Sequence, residues 1–156
     1  MKRKACRALL VTPDREILLI KIENPEGNWL GWITPGGGLN PGENELSALA
    51  RELREELGFE LKQSAHKVWT RSHTFPWDGE ILEQEETFFL IRAARFEPVL
   101  QTDLSESETA AFRDIRWWKL SEIKGSGEVF APRSLAVALE NLLSEGPPSI
   151  PFEIGE

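Results

Sequence analysis

Residues 37–59 read GGLNPGENELSALARELREELGF, a glycine turn running into a helical pattern with an unusual load of carboxylates. Asn44 is placed to cap a helix over 44–57 and Gly58 to follow its end. A side-chain oxygen satisfies the first free N–H groups, and glycine tolerates a left-handed terminus. At about 100° per residue, Glu52, Glu55 and Glu56 share one arc, because spacings of three and four fall on one face. Leu46, Leu49, Ala50, Leu53 and Leu57 form a neighbouring apolar stripe, so the helix can bury one side and leave the acidic side beside a cleft. Three carboxylates on one face repel each other and call for a counter-ion. Oxygen-rich clusters suit hard cations, and Mg²⁺ or Mn²⁺ accept such ligands while keeping positions for water and phosphate oxygens. A solvated acidic face is the other reading of Glu-x-x-Glu-Glu taken alone.

Outward from this window, apolar runs over 5–11 and 17–22 flank Thr12-Pro13-Asp14-Arg15 and predict a β-hairpin. A short strand is expected over 29–34. Downstream, β-branched and aromatic residues predict strands over 62–75 and 85–96 around a Pro76-Trp77-Asp78-Gly79 turn. Residues 103–111 read as a polar loop, 112–120 as a strand, and 132–143 as a helix with Leu135, Leu139, Leu142 and Leu143 on one face. Gly146-Pro147-Pro148 ends it, and the stiff, apolar segment 147–152 is expected to pack on its own domain. Strands interleaved with separated helices favour an α/β arrangement, a mixed sheet packed between helices.

The 156 residues carry 18 Lys and Arg against 26 Asp and Glu, a net charge of −8. That length suits one domain over 1–156, and the acidity argues against gripping a long nucleic acid through a basic face. One cysteine, Cys6, favours a reducing compartment. No apolar run approaches the roughly 20 residues that span a bilayer. The expectation is a soluble cytoplasmic protein with no membrane partner, a monomer or a homodimer.

Gly37, Glu43, Arg51-Glu52-Leu53, Glu55-Glu56 and Gly58-Phe59 reproduce every defined position of the Nudix box, nine fixed positions over 23 residues. The preceding Trp32-x-x-Pro35-Gly36-Gly37-Gly38 and the later Arg116-Trp117-Trp118 extend the likeness, and the whole chain resembles a small Nudix domain. The resemblance implies an α/β/α sandwich with a mixed β-sheet between helices and the box as a loop-helix-loop. It makes Glu52, Glu55 and Glu56, with the carbonyl of Gly37, the divalent-metal ligands. Arg51 would hold the acidic cluster in register, and Glu43 would brace the loop against the helix.

The chemistry implied is hydrolysis of a pyrophosphate bond in a nucleoside diphosphate joined to another group, assisted by Mg²⁺, with Mn²⁺ as the other suitable ion. Family members take the proton from water with a box Glu or with a Glu from a later loop. The candidates here are Glu52, Glu55 and Glu56, and then Glu108 with its neighbour Glu106; Glu85 and Glu86 enter a strand and are further candidates. A nucleotide-sensing domain that binds without cleaving is the competing class.

For the substrate, Arg71 and His73 alternate on one expected strand and share a face. They are the phosphate-facing candidates, with Arg7 and Lys21 on the first hairpin behind them. His66 and His73 lack acidic or cysteine neighbours at metal-ligand spacing and are not read as ligands. Trp29, beside the glycine turn, is the candidate base platform, whereas Trp32, Trp69 and Trp77 read as core. Diadenosine-polyphosphate hydrolases of this family often carry a Tyr after the box, and this chain has none. ADP-ribose pyrophosphatases often carry a Pro there, and Pro76 lies near that place. A nucleotide sugar such as ADP-ribose, or a nucleoside triphosphate, is therefore expected ahead of a dinucleoside polyphosphate. Cys6 lies too early for the catalytic Cys of the isomerases that share the fold and reads as a small buried residue.

Overall fold

Leu9 and Leu10, Leu18 and Leu19, Phe88 and Phe89, and Trp117 and Trp118 are consecutive pairs whose members enter opposite cores. Successive side chains on a strand point to opposite faces, and a sheet covered on both faces reads as unbroken apolar runs rather than as alternation. This explains the hydrophobic stretches of the first hairpin.

The computed structural model describes residues 2–99 and 111–155. In chain order the elements are β1 Lys2–Val11, β2 Glu16–Glu23, β3 Leu30–Ile33, β4 Gly36–Gly38, α1 Glu45–Leu57, β5 His66–Trp77, β6 Glu80–Arg92, β7 Phe112–Lys119, α2 Leu120–Gly125, β8 Phe130–Ala131, α3 Leu135–Glu145 and β9 Phe152–Glu153. One mixed sheet runs β8-β3-β2-β1-β6-β5-β9, with β4 added to β1 and β7 to β2. The amphipathic α1 buries Ala48, Leu49, Leu53 and Leu57 on one face of the sheet. Helices α2 and α3 cover the other face with Leu120, Ile123, Leu135, Leu139 and Leu142. The α/β class and the sheet between helices are as expected.

The sheet forks between its first two strands. β1 meets β2 only at Val11 and Ile17, after which β2 pairs with β3 from Ile20 onward and β1 pairs with β4 over Ala5–Arg7. The segment from β3 to β4 therefore lies in the opening of the fork, and it delivers the glycine turn to the mouth of a cleft. Gly36 sits there at φ +139, with the position of a Cβ only 2.0 Å from the Cys6 carbonyl oxygen, so glycine alone fits.

Several boundaries differ from expectation. The hairpin formed by β5 and β6 turns on Asp78 and Gly79, both at positive φ, a two-residue turn matched to strand twist. Pro76 and Trp77 belong to β5 and Glu80 to β6, which moves the strands expected over 62–75 and 85–96 toward the turn. The helix expected over 132–143 starts at Leu135, after Pro132–Ser134. Helix α2 and the two-residue strands β8 and β9 carry no local signal, and the pairing of the strands comes from tertiary contact. β9 pairs with β5 through Trp69 and Phe152 and seats Ile154 in the core, so the C-terminal segment does pack on its own domain. The polar loop over 103–111 lies outside the described residues, apart from Ala111.

Candidate active site

Helix α1 forms where expected. The Asn44 side chain accepts the Ser47 N–H at 2.8 Å, and Gly58 takes the left-handed conformation while its N–H closes the last turn. The three carboxylates consequently stand along one edge of the helix, facing the β4 turn. Glu56 accepts the Gly36 N–H at 2.8 Å. Glu52 lies flat against Gly37, where an added Cβ would stand 2.6 Å from its carboxylate.

Arg51 ties this group together. Its Nε and Nη2 donate to the two oxygens of Glu43 at 2.9 Å each, Nη2 also to the Gly38 carbonyl at 3.0 Å, and Nη1 to Glu52 at 3.0 Å and Glu55 at 3.1 Å. The hydrogen bonds from Arg51 and the Asn40 N–H hold the Glu43 carboxyl down at about 2, and the same bonds raise the Arg51 guanidinium above its ordinary value. Glu43 thus joins the loop to the helix through Arg51, in line with what the family resemblance implies. Cys6 is fully buried, its thiol pushed up to about 12 by burial, and its Sγ points at the Gly37 carbonyl from 3.8 Å. It is a packing residue, as read from sequence.

Glu52, Glu55 and Glu56 supply hard oxygen donors from one helix edge, which is the donor chemistry a divalent cation such as Mg²⁺ takes. Among the described residues, no three His, Cys, Asp or Glu groups stand already converged as a metal cage. Glu52 and Glu55 instead share the Arg51 Nη1. The donor set fits the ion, and its convergence rests on shifts of half-buried side chains such as Glu55.

These groups form one end of a cleft of about 1010 Å³ that also takes in Arg7, Trp29, Arg71, His73, Phe75, Trp77, Glu86 and Arg133. At its floor, Glu86 is 3% exposed and lies between two guanidinium groups, Arg7 Nε at 2.7 Å from Oε2 and Arg71 Nη1 at 2.7 Å from Oε1. Gln84 Nε2 adds a bond to Oε2 at 3.1 Å. Burial opposes ionisation of Glu86, but the two arginines outweigh it and hold its carboxyl far below the usual range.

The structure thus brings the substrate candidates Arg71, His73 and Trp29 into the same cleft as Glu52, Glu55, Glu56 and Gly37. Arg7 and Arg71 are not free cations, since Glu86 holds both. Lys21 does not line the cleft and pairs with Glu128 at 3.0 Å. Glu85 pairs with Lys2 at 2.8 Å. Glu106 and Glu108 lie outside the described residues. Sequence reading missed Gln84, Phe130 and Arg133 as cleft residues. The only advance signal was the two-residue spacing that sets Gln84 and Glu86 on one strand face with Phe88. Trp77, read as core, also lines the cleft, because the hairpin carries it beyond the sheet.

A NUDIX domain profile matches residues 1–137. The nucleoside triphosphatase NudI of Escherichia coli O1:K1 is 38% identical over 73 residues, which is 46% of this chain and 52% of that protein; the chain therefore spans about half the length of the curated relatives it matches. The MutT Nudix hydrolase of Burkholderia pseudomallei superposes with a TM-score of 0.66 at 28% identity, covering 90% of this chain and 97% of that one. The MutT protein of Methanosarcina mazei Go1 superposes at 0.64 with 21% identity, over 92% and 94% of the two chains, a likeness of fold. With the profile matched across most of its length and the box carboxylates gathered on one helix edge, this chain belongs to the Nudix hydrolase family.

Proposed function

We propose that this protein is a divalent-metal-dependent pyrophosphohydrolase acting on a nucleoside triphosphate. The carrying observation is that the acidic edge Glu52, Glu55 and Glu56 lines one cleft with the exposed Arg133. The NudI relatives are nucleoside triphosphatases, which favours triphosphates ahead of nucleotide sugars such as ADP-ribose, the second class the cleft suits.

Glu52, Glu55, Glu56 and the Gly37 carbonyl would hold Mg²⁺ or Mn²⁺, which supplies charge neutralisation at the phosphate oxygens and acidifies a bound water. The chain's own residues do the rest. Arg51 fixes Glu52 and Glu55 in register, and the Gly36 N–H fixes Glu56. Arg133, exposed at the cleft and without an ion pair to a described residue, is available to the phosphate chain. Glu55, at 35% exposure against 11% for Glu52, is the better placed of the two to take a proton from the attacking water. Glu108 is the alternative proton acceptor. Water adds to one phosphorus, the anhydride P–O bond breaks, and the leaving phosphate departs with the bridging oxygen.

Cys6, buried and unpaired, suits a reducing compartment, so the cytoplasm is the proposed place of action, as a monomer or homodimer. Among the described residues no helix is long and apolar enough to cross a membrane.

The deciding experiment is a panel of nucleoside triphosphates, nucleotide sugars and dinucleoside polyphosphates with Mg²⁺ or Mn²⁺, both products being identified. Release of pyrophosphate or orthophosphate from triphosphates is the expected result. Tight nucleotide binding with no cleavage of any panel member would sink the hydrolase reading in favour of a sensing domain.

A further inference from the structure

Along the sheet face that carries the α3 core, apolar side chains give way to polar ones as the strands approach the cleft. Leu9 is followed by Arg7 on β1, Phe88 by Glu86 and Gln84 on β6, and Trp69 by Arg71 and His73 on β5. The strand registers align Gly38, Ala5, Glu86 and Arg71 in one row across four strands. Three inter-strand steps of about 4.8 Å place Arg71 roughly 14 Å from the glycine turn. A nucleotide whose phosphates lie at the box carries its base over such a span.

The oxygens of Glu86 are both engaged, Oε1 by Arg71 and Oε2 by Arg7 and Gln84. His73 Nε2 lies 3.3 Å from Oε1 without the alignment of a hydrogen bond. Arg71 is 7% exposed, and its Nε, like His73 Nε2, is buried and makes no hydrogen bond to a described residue. Buried donors in native proteins are almost always satisfied, and here two of them stand on one strand face in the substrate cleft. Beside them, His73 stacks on Phe75 with ring centroids 4.7 Å apart, and Trp77 and Leu82 continue an apolar flank. A flat, weakly polar ring suits that flank better than a phosphate does.

Resting on the nucleotide reading above, we propose that Arg71 and His73 are specificity-determining residues that read the acceptor edge of a keto nucleobase. Glu86 fixes the Arg71 fork from behind, and a guanidinium offers donors only. Guanine and hypoxanthine present O6 and N7, and uracil O4, as acceptors. Adenine and cytosine place an amino donor at the equivalent atom and meet donor with donor.

ITP and ATP differ chiefly in that keto-for-amino exchange, as do UTP and CTP, and both pairs are to be compared by kcat/KM and by equilibrium binding of IMP against AMP. The expected keto preference is about tenfold or more. Arg71→Lys and His73→Gln should each bring the ratio close to one while leaving competition by inorganic tripolyphosphate unchanged. A wild-type ratio near one overturns the proposal. So does an Arg71→Lys variant that loses tripolyphosphate and ITP affinity equally, since Arg71 would then be a phosphate contact. If Arg71→Lys does not fold, His73→Gln and the wild-type ratios decide the matter. Failure of every triphosphate to be hydrolysed would count against the hydrolase reading alone, and the IMP-to-AMP binding ratio would still decide this one.

Discussion

Arg51 and Glu86 are the centres of two ion clusters of inverse composition, at the two ends of one cleft. Around Arg51, one guanidinium serves Glu43, Glu52 and Glu55, with Glu56 close by on the same helix edge, so negative charge is in excess. Around Glu86, one carboxylate serves Arg7 and Arg71, so donors are in excess. The acidic cluster is partly wet, with Glu55 at 35% exposure, whereas Arg71 and Glu86 are almost wholly buried. An acid-rich, adjustable end is suited to a cation that comes and goes with the phosphates. A donor-rich, rigid end is suited to reading the shape and edge of the part that is not cleaved.

The widest separation between the two clusters is expected in activity. Glu52→Gln combined with Glu56→Gln should lower kcat/KM by roughly a thousandfold while the thermal midpoint stays the same or rises, because like-charge repulsion is removed. A large fall in the midpoint would make the acidic edge a structural element and erase the contrast. In the other cluster the loss should fall on stability. Glu86→Ala leaves two guanidinium groups buried without their counter-ion and should cost about 3–5 kcal/mol in denaturant unfolding.

Gly37→Ala tests how closely the turn and Glu52 are matched, since the new methyl would meet the carboxylate at 2.6 Å. Metal affinity, measured by calorimetry with Mg²⁺ or Mn²⁺, should weaken about tenfold to a hundredfold, with little change in far-ultraviolet circular dichroism. The smallest effect concerns acid. Glu43 and Glu86 are both held below the ordinary carboxyl value of 4.5, so their stabilisation is complete above about that pH and drains away as pH falls toward their folded values. Glu86→Gln should be less stable than wild type at pH 7 yet show a flatter decline in midpoint between pH 5 and 3, worth roughly 1 kcal/mol or more. An unchanged slope would show that Glu86 is not held ionised by its arginines.

The sequence carried the acidic end almost completely. Asn44, Glu52, Glu55, Glu56 and Gly58 lie within one helix and its caps, where a spacing of three or four residues is itself a spatial relation. It also carried the both-faced burial of the sheet, through the apolar runs on β1 and β2. The boundaries of β5 and β6 were less legible because a two-residue turn set by two positive φ values decides which neighbours count as strand. Helix α2 and strands β8 and β9 are too short for periodicity to mark.

Local pattern by itself therefore determined the family, the acidic helix edge and the cation-seeking character of one end of the cleft. The donor-rich end was decided only by tertiary structure. Arg7 reaches Glu86 across 79 residues and Arg71 reaches it across 15, so their meeting depends on the parallel register of β1 with β6 and the antiparallel register of β6 with β5. Register is settled by which faces the two cores bury, and a slip of one residue would turn Glu86 away from both arginines.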